Sequence, residues 1–187
     1  MLFPCEVKEL TNILFTFTSS ECMKRIALIS DTHGYLEPLV LKYVKECHEI
    51  WHAGDVGSIA LTDELNKLCP VRAVYGNIDG QDVRKVYPEV SHFVYEGLKV
   101  LIIHIGGYPG AYTRLAKQEI EKNKPDLFVS GHSHILKIMP DKKNNLLHMN
   151  PGACGNHGFH PIKTMIRFTV LAGKITEVQA IELGKRA

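Results

Sequence analysis

Residues 23–34 read MKRIALISDTHG, a mostly apolar run, RIALIS (25–30), that stops abruptly at Asp31-Thr32-His33-Gly34. Short unalternating apolar runs bounded by turn residues suggest strands buried on both faces, as in a sheet covered by helices. Runs of the same kind recur at intervals of about 25 residues: EIWHAG (49–54), VRAVYG (71–76), VLIIHI (100–105) and then DLFVSG (126–131). Helical patterns lie between several of them. Leu36, Leu39, Val40, Tyr43, Val44 and Cys47 fall on one apolar face. A second helix is expected over Ser58–Leu68, capped by Ser58. A third is expected over about Tyr112–Asn123, stopped at Lys124-Pro125 because proline cannot continue it. Strand and helix alternating in this way predict βαβ units with right-handed crossovers.

After residue 131 the pattern changes. ILKIM, NLLHM, TMIRFTV and ITEVQAIEL read as strands separated by DKKNN and LAGK, with no room for helices. This half is expected to be hairpin-rich and antiparallel, which makes the fold class α/β (α+β mixed) in one domain over 23–187. Residues 1–22 differ in character from the rest of the chain and lack the basic start and cleavage site of a secretory signal. Two readings stay open for them: an N-terminal extension from a misassigned start, or an extra strand or dimer contact.

Bulk properties narrow the function classes. A chain of 187 residues can bury a real core. A net charge of +2 gives no field suited to a nucleic-acid backbone or an anionic membrane. No apolar run reaches the roughly 18 residues that span a bilayer. The five cysteines are scattered and form no CxxC pair, which argues against a disulfide framework or thiolate zinc site and fits a reducing cytoplasm.

The chemistry sits at the ends of the runs. Asp31 and His33, then Asp55, then Asn77 and Asp79, then His104, then His132 and His134 each stand at or just past the C-terminal end of an expected strand, most beside a glycine. That edge of an α/β sheet is where ligands bind. Asp, His and Asn together suit divalent transition metals. Seven of these groups, Asp79 left aside, exceed one tetrahedral site and suit two metals about 3.5–4 Å apart.

In this order, DxH, GD, GNxD, H and GHxH resemble the calcineurin-like metallophosphoesterase superfamily, and Asn150-Pro151-Gly152 resembles its small YfcE-like phosphodiesterase branch. The resemblance runs from about Lys24 onward. It implies a four-layer αββα sandwich of two mixed β-sheets flanked by helices. It implies that Asp31, His33 and His134 hold a first metal, that Asp55 bridges, and that Asn77, His104 and His132 hold a second. Two divalent ions are implied, Mn²⁺ first, with Ni²⁺, Fe²⁺, Zn²⁺, Co²⁺ and Mg²⁺ compatible. The implied activity is that of a phosphodiesterase or phosphatase acting on a small phosphodiester or phosphomonoester through a metal-bridging hydroxide. Asp55, Asn77 and His104 would act through the metals. A homo-oligomer is compatible on the same grounds.

One position departs from the pattern. Many members read GNHD, and here the histidine is Ile78, which cannot donate a proton. Gly155-Asn156-His157-Gly158 mimics that motif later in the chain, so His157 or His160 is a candidate replacement. Asp79 and His52 are candidates for orienting the imidazoles. Trp51 is expected in the core, Tyr108 and Tyr112 at the mouth of the crevice, His48 and His92 in solvent, His148 as a sheet residue, and Arg114 and Lys163 as solvated cations. The competing function is a non-catalytic protein-interaction scaffold that retains the fold, as in the retromer scaffold subunit; the full ligand set favours catalysis. No dedicated nucleic-acid groove and no membrane partner are expected.

Overall fold

A computed structural model describes residues 23–186; the expectation for residues 1–22 lies outside the described residues. The first run becomes β1 (Lys24–Ile29), followed by α1 (Pro38–Val44), β2 (Glu49–His52), α2 (Ile59–Asn66) and β3 (Val71–Ala73). β1, β2 and β3 pair in parallel, as βαβ units require. Next come α3 (Gln81–Val86), β4 (Val90–Tyr95), β5 (Leu98–Ile103), α4 (Arg114–Asn123) and β6 (Leu127–Val129). The chain closes with β7 (Leu136–Asp141), β8 (Leu146–Pro151), β9 (Ile162–Leu171) and β10 (Lys174–Lys185). The strands form two five-stranded mixed sheets, ordered β10-β9-β1-β2-β3 and β4-β5-β6-β8-β7.

Alternation along the strands sorts the apolar residues into three layers of core. Leu28 and Trp51 of one sheet meet Val100, Ile102, Val129 and Met149 of the other. Their neighbours Ala27, Ile29 and Ile50 face Val40 and Val44 of α1 and Leu61 and Leu65 of α2. Leu101, Ile103 and Phe128 face Ala116 and Ile120 of α4. Successive strand residues point to opposite faces, so both sheets are covered on both sides and the architecture is an αββα sandwich.

Several local expectations are corrected. The last half is not purely antiparallel: β8 pairs antiparallel with β7 but parallel with β6. Its C-terminal end, at Asn150-Pro151-Gly152, therefore reaches the same edge as the ends of β5 and β6. Helix α4 begins at Arg114, with Thr113 Oγ1 accepting the Ala116 amide, and stops at Lys124 in the left-handed conformation. Tyr112 is excluded from it. That ring is buried against Phe128 and its hydroxyl donates to Asp141 at 2.9 Å, so Tyr112 belongs to the core and not to a crevice mouth. Ser58 sits at the N-cap of α2 without a side-chain capping bond. Among the described residues, no helix is long and apolar enough to cross a membrane.

Candidate metal centre

β1, β2 and β3 end on one edge of the first sheet, β5, β6 and β8 on one edge of the second, and the loops beyond them converge. Asp31, His33 and His134 bring one ligand-type atom each to within 4.8 Å of one another; Asp55, His104 and His132 do the same. The first is the set the resemblance implies; the second joins His104 and His132, which it also pairs, with Asp55, which it implies as the bridge. Asp55 Oδ2 lies between them, 3.3 Å from His104 Nε2 and 3.8 Å from His33 Nε2. Asn77 Oδ1 stands 3.2 Å from His104 Nε2. The rings of His104 and His132 are 5.4 Å apart, and those of His33 and His134 5.5 Å. All seven candidates thus surround one small volume.

The backbone at these loops is forced. Among the described residues, Asp31, His33, Asp55, His132 and His134 all have positive φ, between 50° and 66°. Left-handed backbone costs a non-glycine residue free energy and persists where the surroundings over-determine it, as they do at functional sites. Gly76 and Gly54 serve close approach. A Cβ on Gly76 would overlap the Asp55 carboxylate, and one on Gly54 would lie 2.6 Å from His104 Nδ1.

The carboxylates are aimed by amides. Asp31 Oδ2 accepts from His132 N at 3.2 Å, and Asp55 Oδ1 from Ile78 N at 3.1 Å, leaving the other oxygen of each for the site. Ile78 is half exposed and orients Asp55 through its backbone alone. His104 Nδ1 donates to the Ala53 carbonyl at 2.7 Å, which turns Nε2 toward Asp55 and Asn77. Burial opposes charge on His104, but the Asp55 hydrogen bond and the Asp31 and Asp55 charges outweigh it and raise its pKa. Burial likewise works to raise the pKa of Asp55, and the bond and charge of His104 reverse it, so Asp55 is more acidic than usual. Burial is the first cause that lowers the pKa of His33.

Two buried atoms here, Asp31 Oδ1 and His33 Nε2, have no hydrogen-bond partner. His134 Nε2 comes within 3.1 Å of Asp31 Oδ1, yet the approach is not a hydrogen bond. Buried polar atoms are normally satisfied. Orphaned donors of these types, converging in mixed carboxylate, imidazole and amide sets, fit divalent cations.

Neither residue expected to orient the imidazoles touches one of the candidate ligands. Asp79 is a staple: its carboxylate accepts from Gly76 N at 2.7 Å, Gly57 N at 2.7 Å and Val56 N at 3.1 Å, joining the Asp55 and Asn77 loops. His52 Nδ1 accepts from Gly54 N at 3.2 Å, so Nε2 carries the proton toward Thr32 Oγ1 at 2.9 Å; the Thr32 hydroxyl donates on to Val56 O. Arg84, on α3, was not singled out in the sequence. It donates to the carbonyls of Asp79 and Gly76 and covers the Tyr75 ring, fixing the turn that carries Asn77. Asn150 donates to Gly131 O at 2.8 Å and Ser133 Oγ at 3.1 Å, tying the Asn-Pro-Gly turn to the GHSH loop. Lys163 is not a solvated cation: it is buried and paired with Glu37. Cys154 is buried and its thiol is pushed up to about 12, so it is inert. The His157 ring lies 5.2 Å from that of His33, tilted by 41°, whereas His160 turns its Nδ1 to the backbone of Ile162.

Residues 23–173 match the family model of the calcineurin-like phosphoesterase superfamily domain. The chain belongs to that superfamily. A probable metallophosphoesterase of Methanothermobacter thermautotrophicus is 30% identical over 133 residues, covering 68% of this chain and 76% of the relative. Among solved structures, an archaeal phosphodiesterase is 22% identical with a TM-score of 0.67, over 84% of this chain and 99% of that one. Vacuolar protein sorting 29 of Cryptosporidium parvum is 18% identical with a TM-score of 0.65, over 86% and 97%. At these identities the two structures share the fold with this phosphoesterase-superfamily chain.

Proposed function

We propose that this chain is a metal-dependent phosphodiesterase that hydrolyses a small phosphate ester at a dinuclear centre. The observation that carries the reading is the position of Asp55 Oδ2 between two donor groups, beside buried Asp31 and His33 atoms that lack partners. Asp31, His33 and His134 would hold one ion, Asn77, His104 and His132 the other, with Asp55 shared. Bound divalent cations would supply Lewis acidity toward a phosphoryl oxygen and bring the pKa of water toward neutrality. Asp55, anchored by the Ile78 amide, would be shared by both ions, and the Ala53 carbonyl would keep His104 in the liganding tautomer. Ile78 offers no proton to a leaving group, which favours esters whose leaving group needs little help. The carboxylate, imidazole and amide donors are compatible with Mn²⁺, the first expectation. Cys47, Cys69 and Cys154 are free thiols, which supports a reducing, cytoplasmic setting.

The second reading, a scaffold without turnover, draws on the structural likeness to vacuolar protein sorting 29. The complete donor set speaks against it. Metal-stripped protein should gain hydrolysis of a bis-aryl phosphodiester when Mn²⁺, Ni²⁺, Mg²⁺ or Zn²⁺ is restored, and Asp55→Asn should abolish it. Two ions bound without turnover on several esters would favour the scaffold.

A further inference from the structure

A concave cleft of about 450 Å³ opens beside the centre, between the GHSH loop and residues 158–161. His132 and His134 form its inner wall; Ile135, Phe159 and Pro161 make the outer part apolar. Phe159 is 108% exposed, as open as a side chain can be, and Ile135 is exposed as well. A large ring held in water has an unfavourable free energy unless something covers it part of the time.

The wall that carries this ring is built. Arg186 donates to the carbonyls of Gly155, His157 (2.5 Å), His160 (2.8 Å) and Ala153 (3.2 Å). Buried Lys163 adds a bond to Asn156 Oδ1 at 3.2 Å. On the inner side, Gly158 has φ 125° and lies so close to the His134 ring that any side chain there would overlap it. One guanidinium thus holds four carbonyls of the 153–160 segment, and Phe159 projects from it. On the Asn77–His104 side of the centre the opening is smaller, about 190 Å³, and includes Arg84 and Glu89. Another cavity, of about 480 Å³, lies at the opposite edge of the sheet, around Lys99 and Asp126 at the N-terminal ends of β5 and β6. Among the described residues, an apolar group esterified to a phosphate at the centre is therefore better accommodated in this cleft than on the Asn77–His104 side.

We propose that this cleft is a subsite for a planar ring on the phosphate ester, an aryl group or a nucleobase, with Phe159 as its stacking face and Arg186 as the positioning residue of its wall. The inference rests on the phosphoesterase reading and deepens it by naming the substrate class. Rings stack on rings with enough free energy to matter for selection, and a 450 Å³ cleft exceeds the volume of a single ring, so a linker fits as well.

The test is calorimetric binding to the Mn²⁺-loaded full chain of two probe pairs: phenylphosphonate against methylphosphonate, and AMP against ribose 5-phosphate. The ring-bearing member of at least one pair should bind about tenfold tighter, a ratio equal to ~1.4 kcal/mol. The pair that shows it distinguishes an aryl ester from a nucleotide. Phe159→Ala, at a fully exposed position, should erase the preference. Arg186→Met should weaken the ring-bearing probe too and raise KM for an aryl diester by several-fold more than it lowers kcat. A preference below twofold, or one that survives Phe159→Ala, overturns the subsite. If the ring-blind protein still hydrolyses esters, the subsite alone falls; if no probe binds and nothing is hydrolysed, both readings fall. Ring preference without hydrolysis upholds the subsite and removes only the catalytic reading.

Discussion

Replacing Asp79 with alanine should destabilise the protein more than any contact it makes with a candidate ligand could explain, because it makes none. Its carboxylate accepts three backbone amides, those of Val56, Gly57 and Gly76. Val56 and Gly76 are buried, whereas Gly57 is exposed. Removing the acceptor strands two buried donors at ~1–3 kcal/mol each, and the exposed one rehydrates for less. The expected loss is therefore about 2–6 kcal/mol, read as a lower urea midpoint at unchanged slope. In a domain of this size that corresponds to a melting temperature lower by roughly 4–24 °C. The Asp55 and Asn77 loops would also part, and supporting bonds of this kind are worth about 10–100-fold in metal affinity. Calorimetric Mn²⁺ titration of folded Asp79→Ala at low temperature should show that weakening, felt most by the ion expected at Asn77, His104 and His132. A loss under about 1 kcal/mol with full metal affinity would refute the staple.

Three other outcomes follow from buried charge and close packing. His52 and His148 are buried, and burial lowers both pKa values to about 4, against an ordinary 6.5. Between pH 6.5 and 4 the unfolded chain binds protons that the fold refuses, so stability falls as pH falls, by about 1.4 kcal/mol per pH unit for each histidine. Urea unfolding across that window should lose one proton of slope in His148→Phe. Glu37→Gln strands buried Lys163 and should cost ~3–5 kcal/mol, most of it recovered when Lys163→Met is added, as measured by denaturant midpoints. Gly76→Ala should leave the circular dichroism spectrum intact and weaken metal binding by about 10–100-fold, since the added methyl displaces the Asp55 carboxylate.

The candidate centre was legible because its chemistry is punctuated: each apolar run ends, and the ligand types come within a few residues. Placing those loops needs only the direction of the strands, and parallel strands all end on one edge. Structure made by partners was hidden. α3 has six residues, too few to hold a helix alone; its Arg84 bonds to the Asn77 turn help fix it in place. β4 alternates between half-buried and exposed residues on a sheet edge, unlike the continuous runs that marked the other strands. The parallel pairing of β8 with β6 has no local signature, since an apolar run reads the same whichever neighbour it takes. Missing it also hid why the 153–160 loop belongs to the centre. Tyr112 fits a helical face by spacing, but a hydroxyl partner on Asp141 and space beside Phe128 placed it in the core.

The position of β1 governs when this protein can exist during its own synthesis. β1 is central in its sheet, with β2 on one side and β9 on the other, so Lys24 pairs with Val170 across nearly the whole domain. The growing chain must keep one flank of its first strand uncovered until residues 162–171 have emerged. Contacts of such long sequence separation slow folding and leave apolar edges exposed to other chains meanwhile. Capture of metal by the candidate centre would be delayed with them, because the Asp31 and Asp55 loops hang from that same unfinished sheet. A ribosome-stalled chain ending before β9 should therefore be protease-sensitive and unable to retain Mn²⁺, however complete its set of candidate ligand residues.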